Sequence, residues 1–150
     1  NEINKSKELT TEFYSQFEKV YGMNSTNDWF VISILKTIQG KSMNTECPCR
    51  LAAYRFHQGN GTANNTTLAF ALENSVGKKK CLDFYIKNFD FLYNNIGIEN
   101  AAKYYYKKNG ADLTKDEILE LVIMIKNPSY YNKIRHPERL KNAVRKYKNN

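Results

Sequence analysis

The segment Thr114 to Pro128 (TKDEILELVIMIKNP) constrains the fold more than any other stretch, because it carries both the start and the stop signal of one helix. Thr114 and Glu117 stand in capping-box register, where a hydroxyl and a carboxylate satisfy each other's free backbone N–H groups. Asn127-Pro128 closes the segment, since proline disfavours a helical residue before it. A helix is therefore predicted over Thr114 to Lys126.

The same grammar recurs along the chain. Residues 7 to 20 place Leu9, Phe13, Phe17 and Val20 on one stripe at spacings of three and four, the signature of a helix with one buried face. Gly22 and the cluster Asn24 to Asp28 end that helix and cap an apolar one over 28 to 39, which stops at Gly40. Turn residues fill Gly40 to Cys49, a short helix is expected at 50 to 56, and Gly59-Asn60-Gly61 forms a loop. Further helices are expected over 62 to 75, 78 to 90, Gly97 to Lys108 and Pro137 to Tyr147, the last with proline at a tolerated first-turn position. No alternating strand pattern competes, so the expectation is one all-α domain over residues 1–150.

The charge balance narrows the partners. Lys and Arg number 23 against 15 Asp and Glu, a formal charge of +8, which favours an anionic partner such as a phosphate-bearing substrate, an anionic membrane surface or nucleic acid. A compositional bias toward Lys, Asn and Tyr accounts equally well for part of the excess. The run Lys78-Lys79-Lys80 and the stretch Lys133 to Lys148 concentrate it, although on a helix the latter set points in several directions. The apolar stretch Trp29 to Leu35 is interrupted by Ser33, far short of the roughly 20 residues of a membrane span. Any membrane anchor is thus expected outside these residues.

Three cysteines occur, at Cys47, Cys49 and Cys81. Structural zinc sites use four Cys or His ligands in paired spacings, and only His57 and His136 could join these three, so no metal is expected. A disulfide from Cys81 to either Cys47 or Cys49 is expected if the protein is exported, leaving one thiol unpaired.

From Lys78 onward the chain resembles the family 51 glycosyltransferases, the peptidoglycan glycosyltransferase domains of penicillin-binding proteins. That family has a KxxILExYLN segment, then YGxExAAxxYFxK, then a helix, then PSxYNPxRHPExAxxR. The corresponding stretches here are Lys78 to Lys87 (KKKCLDFYIK), Gly97 to Lys107 (GIENAAKYYYK) and Asn127 to Arg139 (NPSYYNKIRHPER), in the same order and spacing. Upstream, the family's GGSTITQQLAKN loop aligns with Gly40 to Leu51, and its EDxxFxxHxG motif aligns on Phe17 and Gly22. The resemblance implies a lysozyme-like helical fold, no cofactor, a bacterial periplasmic or cell-envelope location, and lipid II or peptidoglycan glycan as substrate. A nucleic-acid partner is not expected, since no recognised motif accompanies the charge.

The departures fall on the catalytic half. By this alignment the family's catalytic glutamate lands on Phe13, its aspartate on Tyr14, its histidine on Val20, and its second glutamate near Asn65. The family's reaction joins a sugar hydroxyl to an anomeric carbon and expels a lipid pyrophosphate, so a carboxylate must take the hydroxyl proton. Phenylalanine cannot. Glu12 is the candidate replacement, but a one-residue shift turns a helical side chain by about 100°; Glu18 has no better warrant. Lys41, Ser42, Thr45 and Arg50 match positions where the family contacts substrate phosphates, and they are the candidate substrate-binding residues; a polar surface turn is the competing reading. Lys78, Asp83 and Tyr85 are expected to serve packing and an internal ion pair, and Arg135, His136 and Glu138 to serve the entry of the last helix. The expectation is a glycosyltransferase-like domain without normal lipid II polymerase activity, binding precursor, glycan or a cell-envelope protein. The alternative is an active glycosyltransferase, or a lysozyme-like glycan-processing enzyme, using Glu12.

Overall fold

Helices form wherever the apolar period and the caps demanded them in the computed structural model, which describes residues 3–41, 46–56 and 65–149. In chain order they are α1 (Thr11–Tyr21), α2 (Thr26–Ile38), α3 (Pro48–Phe56), α4 (Asn65–Lys87), α5 (Gly97–Tyr106), a 3-10 turn (Gly110–Asp112), α6 (Lys115–Lys126) and α7 (Pro137–Lys148). Among the described residues extended pairing is limited to one isolated bridge between Asp90 and Ile96, so the fold is all-α. Residues 57–64, which hold His57, the Gly59-Asn60-Gly61 loop and the expected start of the fourth helix, lie outside the described residues.

Local chemistry explains most boundaries. Helix α1 starts later than the expected residue 7 because Thr10 is its cap: the Phe13 N–H donates to Thr10 Oγ1 at 3.2 Å. Ser25 caps α2 by accepting from the Asp28 N–H at 3.0 Å. In α6 the capping box is complete, with Thr114 N–H donating to Glu117 Oε2 at 2.8 Å and Glu117 N–H donating to Thr114 Oγ1 at 3.3 Å. Helix α4 is broken at Gly77, whose φ of 79° and ψ of 166° suit glycine alone. Its second half ends at Lys87, three residues before the expected end.

The chain divides into two compact units, residues 1–8 with 21–85 and residues 9–20 with 86–150. In the first, the core is built from small and sulfur-bearing side chains: Cys47, Cys49, Ala52, Ala53, Ala69 and Cys81 are fully buried, joined by Ile3 and Phe84. Trp29, Leu68, Leu72 and Val76 pack against it, partly buried, and supply most of its larger apolar surfaces. A disulfide between Cys49 and Cys81 links α3 to the second half of α4 across 32 residues. Cys47 stays a buried thiol. Glu73 of α4 holds the start of α2, where its Oε2 accepts from both the N–H and the hydroxyl of buried Thr26, at 2.6 and 2.5 Å. A carboxylate there also meets the positive end of the α2 dipole. The outer side of α2 carries Phe30, Val31, Ile34, Leu35 and Ile38, all exposed.

In the second unit Phe13 and Phe17 of α1 are fully buried and Val20 nearly so, as the stripe on that helix requires. Leu9 lies ahead of the helix and is only half-buried. The center of this unit is α6, in which every residue from Ile118 to Ile125 except Glu120 is buried. Helix α7 packs on it through Leu140 and Val144. Gly97 opens α5 at φ 80°, where an added Cβ would lie 3.0 Å from the Lys87 carbonyl oxygen.

A buried polar network ties three segments of this unit. Asn132, with no exposed surface, accepts from the N–H groups of Ile134 and Arg135 at 3.0 Å each, and its amide donates to the Tyr105 oxygen at 3.0 Å. Tyr105 in turn donates to the Phe91 carbonyl at 2.6 Å. Burial pushes the Tyr105 hydroxyl up to about 12 against the opposing effect of the Asn132 amide, so it remains a donor at neutral pH. The Phe91 carbonyl begins a turn in which Leu92, Tyr93 and Asn94 all have positive φ, at 75°, 57° and 60°.

Two outcomes follow. Replacing Cys49 and Cys81 by serine will lower unfolding stability by about 3–4 kcal/mol, the loop-closure entropy of a bridge of this span, as read from urea denaturation with and without reductant. Asn132→Leu leaves two backbone N–H groups and a tyrosine oxygen without their buried partner, and will cost about 2–4 kcal/mol in the same measurement.

Candidate functional site

The residues that the motifs single out fall in both units. On α1, in the second unit, consecutive positions point in different directions. Phe13, on which the motif alignment sets the family's catalytic glutamate, is turned into the core with no exposed surface. Glu12 lies one residue earlier and keeps about a quarter of its side-chain surface exposed. Its carboxylate is already engaged: Gln16 donates to Oε1 at 2.6 Å and the Lys115 ammonium stands 3.3 Å from Oε2. The Gln16 hydrogen bond, helped by Lys115, holds the carboxyl below its ordinary value against a smaller opposing effect of burial. A carboxylate held low in this way is a weaker base than a free one. Val20, at the family's histidine position, is buried and has no proton to exchange.

In the first unit the candidate anion-binding residues are Lys41, Ser42, Thr45 and Arg50. Ser42 and Thr45 lie outside the described residues. Lys41 is exposed just past α2, its N–H donating to the Lys36 carbonyl at 2.9 Å. Arg50 sits in the first turn of α3, its guanidinium 4.2 Å from the ring centroid of Trp29 and 3.9 Å from Glu46 Oε2. The guanidinium therefore lies over the Trp29 ring with one nitrogen toward the Glu46 carboxylate, and its side chain is 41% exposed. Asn65, near the position of the family's second glutamate, is the first residue of α4 and is half-buried.

The Lys78 motif is structural in its geometry. Lys78 Nζ donates to the Met23 carbonyl at 2.8 Å, fixing α4 beneath the entry to α2. The ion pair of this segment is made by Lys80, which reaches Asp83 Oδ2 at 3.7 Å and Glu8 Oε1 at 3.2 Å. Asp83 and Tyr85 are buried, and burial pushes the Tyr85 hydroxyl up to about 12. In the second unit Arg135 lies over the Tyr93 ring and Arg139 over the Tyr130 ring, at 5.5 and 4.6 Å from the centroids. His136 immediately precedes α7 and Glu138 lies in its first turn.

Sequence reasoning gave Glu73 no role, although it clamps Thr26; nothing in the sequence pairs residues 47 positions apart. Lys115 as a partner of Glu12 was equally hidden, since the two meet only through the fold. Among the described residues no group of three or more His, Cys, Asp or Glu side chains is arranged to hold a metal ion. Among them, too, no helix is long and apolar enough to cross a membrane.

Comparison with known proteins places these observations in a family. Residues 53–149 match the transglycosylase family. A biosynthetic peptidoglycan transglycosylase of Acinetobacter baumannii (strain ATCC 17978) is 30% identical over 87 residues, covering 56% of this chain and 39% of that protein. Penicillin-binding protein 1A of Neisseria gonorrhoeae is 38% identical over 78 residues, covering 52% of this chain and 10% of that protein, and the Neisseria meningitidis protein of the same name matches to the same extent. The chain thus spans less than half the length of these curated relatives. The family match takes in the three ordered motifs at Lys78, Gly97 and Asn127, and leaves out Glu12, Phe13 and the loop from Lys41 to Arg50. Since it covers about two thirds of the residues, the chain belongs to the transglycosylase family, the family 51 glycosyltransferases that its motifs resemble.

Proposed function

We propose that residues 1–150 are a peptidoglycan glycosyltransferase-like domain of a bacterial periplasm or cell envelope that lacks normal lipid II polymerase activity. It binds lipid II, peptidoglycan glycan or a cell-envelope protein instead. The observation that carries this reading is the fully buried Phe13 at the family's catalytic position, beside a Glu12 whose carboxylate is taken up by Gln16 and Lys115. Replacing a base by a buried aromatic ring removes proton transfer and adds core packing at once.

Retention of the cationic residues supports a binding role. Lys41 is exposed and Arg50 half-exposed, the Arg50 guanidinium lying over Trp29 with Glu46 Oε2 at 3.9 Å as a carboxylate that an incoming anion would have to displace. Cations in this arrangement meet the charge of a pyrophosphate whether or not a bond to it is broken. Ser42 and Thr45 would add hydroxyl donors to the same group. A net charge of +8 also favours an anionic membrane surface, where a lipid-linked pyrophosphate resides.

Two measurements test the proposal. The purified protein, incubated with lipid II, will show no chain extension on glycan gels, and Glu12→Gln will change nothing; robust extension abolished by Glu12→Gln, with folding intact, would establish the active alternative. Arg50→Gln combined with Lys41→Gln will weaken binding to a polyprenyl pyrophosphate in detergent about tenfold or more, as expected for losing two charge-assisted contacts. Equal binding by the double variant would remove this loop from the site.

A further inference from the structure

We propose that the outer face of α2 is a homodimer interface, on which the α2 helix of a second copy of this chain packs antiparallel about a two-fold axis. The helix is built inside out. Its one buried residue is the polar Thr26, while Phe30, Val31, Ile34, Leu35 and Ile38 are each between 44% and 78% exposed. At about 100° per residue these five fall within one arc of about 140°, so they form a stripe rather than a scatter. Trp29, on the opposite side of the helix, is the residue that packs against the core of the first unit. Single apolar side chains on a surface need no explanation, but a contiguous apolar stripe left in water marks a surface that meets another.

The polar residues beside the stripe are prepared for burial. Ser33 and Thr37 border it, and their hydroxyls donate back to the Phe30 and Ser33 carbonyls of the same helix at 2.7 and 2.8 Å. Each hydroxyl proton is thus already placed, so covering the face strands no donor there. Gly40 ends the helix at φ 64°, its N–H donating to the Thr37 carbonyl at 3.1 Å while the Lys41 N–H donates to the Lys36 carbonyl at 2.9 Å. That closure holds the Lys41 backbone against the last turn. The stripe is therefore bracketed by two exposed charges of opposite sign, Asp28 in the first turn and Lys41 just past the last.

Those two charges select the occupant. In a parallel pair of helices Asp28 would meet Asp28 and Lys41 would meet Lys41. Turned antiparallel about a point between Ile34 and Leu35, the same helix sets Ile34 on Leu35, Val31 on Ile38 and Asp28 on Lys41, each contact occurring twice as a two-fold interface requires. The helix dipoles then also oppose one another favourably. The pair of Asp28 with Lys41 lies at the rim in water, where it sets orientation more than affinity, and an anion at Lys41 displaces it at small cost. A bilayer fits the face less well. Helices that lie in a membrane surface carry Lys and Arg around their apolar stripe, whereas here the Asp28 carboxylate borders it and Lys36, the one cation within the helix, lies on the Trp29 side. A single helix pair is small for an interface, so the dimer is weak, with a dissociation constant of roughly 1–100 μM.

The experiment is sedimentation velocity of the purified full chain from about 1 to about 300 μM, at low and moderate salt. Wild type will pass from monomer to dimer across this range. Leu35→Glu and Ile38→Glu, both at exposed positions, will keep the thermal midpoint and circular dichroism of wild type and weaken association about a hundredfold, because the two-fold axis brings each new carboxylate into the seam twice. Asp28→Lys and Lys41→Asp will each weaken self-association about three- to tenfold, more at low salt. An equimolar mixture of those two variants will associate as wild type does, since the mixed dimer restores opposite charges at both ends. Single charge variants that associate like wild type, with a mixture tighter than wild type, would overturn the antiparallel arrangement. A dimer that survives both glutamate variants would overturn the interface by placing association elsewhere. Wild type that stays monomeric throughout would overturn it as well, and flotation with phosphatidylglycerol vesicles that Leu35→Glu abolishes would then reassign the face to a bilayer. None of these outcomes decides the lipid II or polyprenyl pyrophosphate measurements, so the interface and the envelope reading stand or fall separately.

Discussion

The buried amide of Asn132 is the constraint on which the second unit most depends. A primary amide has two donors and two acceptor lone pairs, and in a dry interior each one left unmade is costly. Asn132 spends its oxygen on the N–H groups of Ile134 and Arg135 and its nitrogen on Tyr105, which passes the link to the Phe91 carbonyl. Three stretches of chain far apart in sequence are fixed relative to one another by directional bonds, which hydrophobic packing alone would leave free to slide. The entry to α7 follows directly, since the His136 N–H donates to the Asn132 carbonyl at 2.8 Å.

The first unit solves a different problem. Among the described residues its core sets alanines and cysteines at the center, with Trp29, Leu68, Leu72 and Val76 packed against them, and the covalent bond between Cys49 and Cys81 further restrains the unfolded chain. Polar clamps do the rest: Glu73 on Thr26 and Lys78 on the Met23 carbonyl both fasten α4 to the start of α2. The lysine run that reads as a basic patch is thereby partly consumed in holding the fold.

Burial decides what the positions on α1 can offer. A helix that inserts Phe13 and Phe17 into a core cannot present a carboxylate from either site. Glu12, rotated by about 100°, finds Gln16 on its own helix and Lys115 at the start of α6. Those contacts give α1 a stable face at the expense of a free base. Lys41 and Arg50 are under no such constraint: Lys41 is exposed, and Arg50 is half-exposed over Trp29.

The sequence by itself determined the helices, since the caps at Thr114 and Ser25, the first-turn proline Pro137 and the period of α1 are local properties that each segment carries alone. It also determined the family, because three motifs at fixed spacing survive in order from Lys78 to Arg139. It narrowed the cysteine pairing to two choices, and only the fold chose Cys49, which brings its Cα within 4.8 Å of that of Cys81. Tertiary structure alone decided what Glu12 touches, which lysine pairs with Asp83, and that Tyr93 stands beside Tyr104. The physical reason is the same in each case. A helix start or a stripe is encoded within a few residues, whereas an ion pair or a ring contact between distant segments exists only once the chain has closed loops that no local signal specifies.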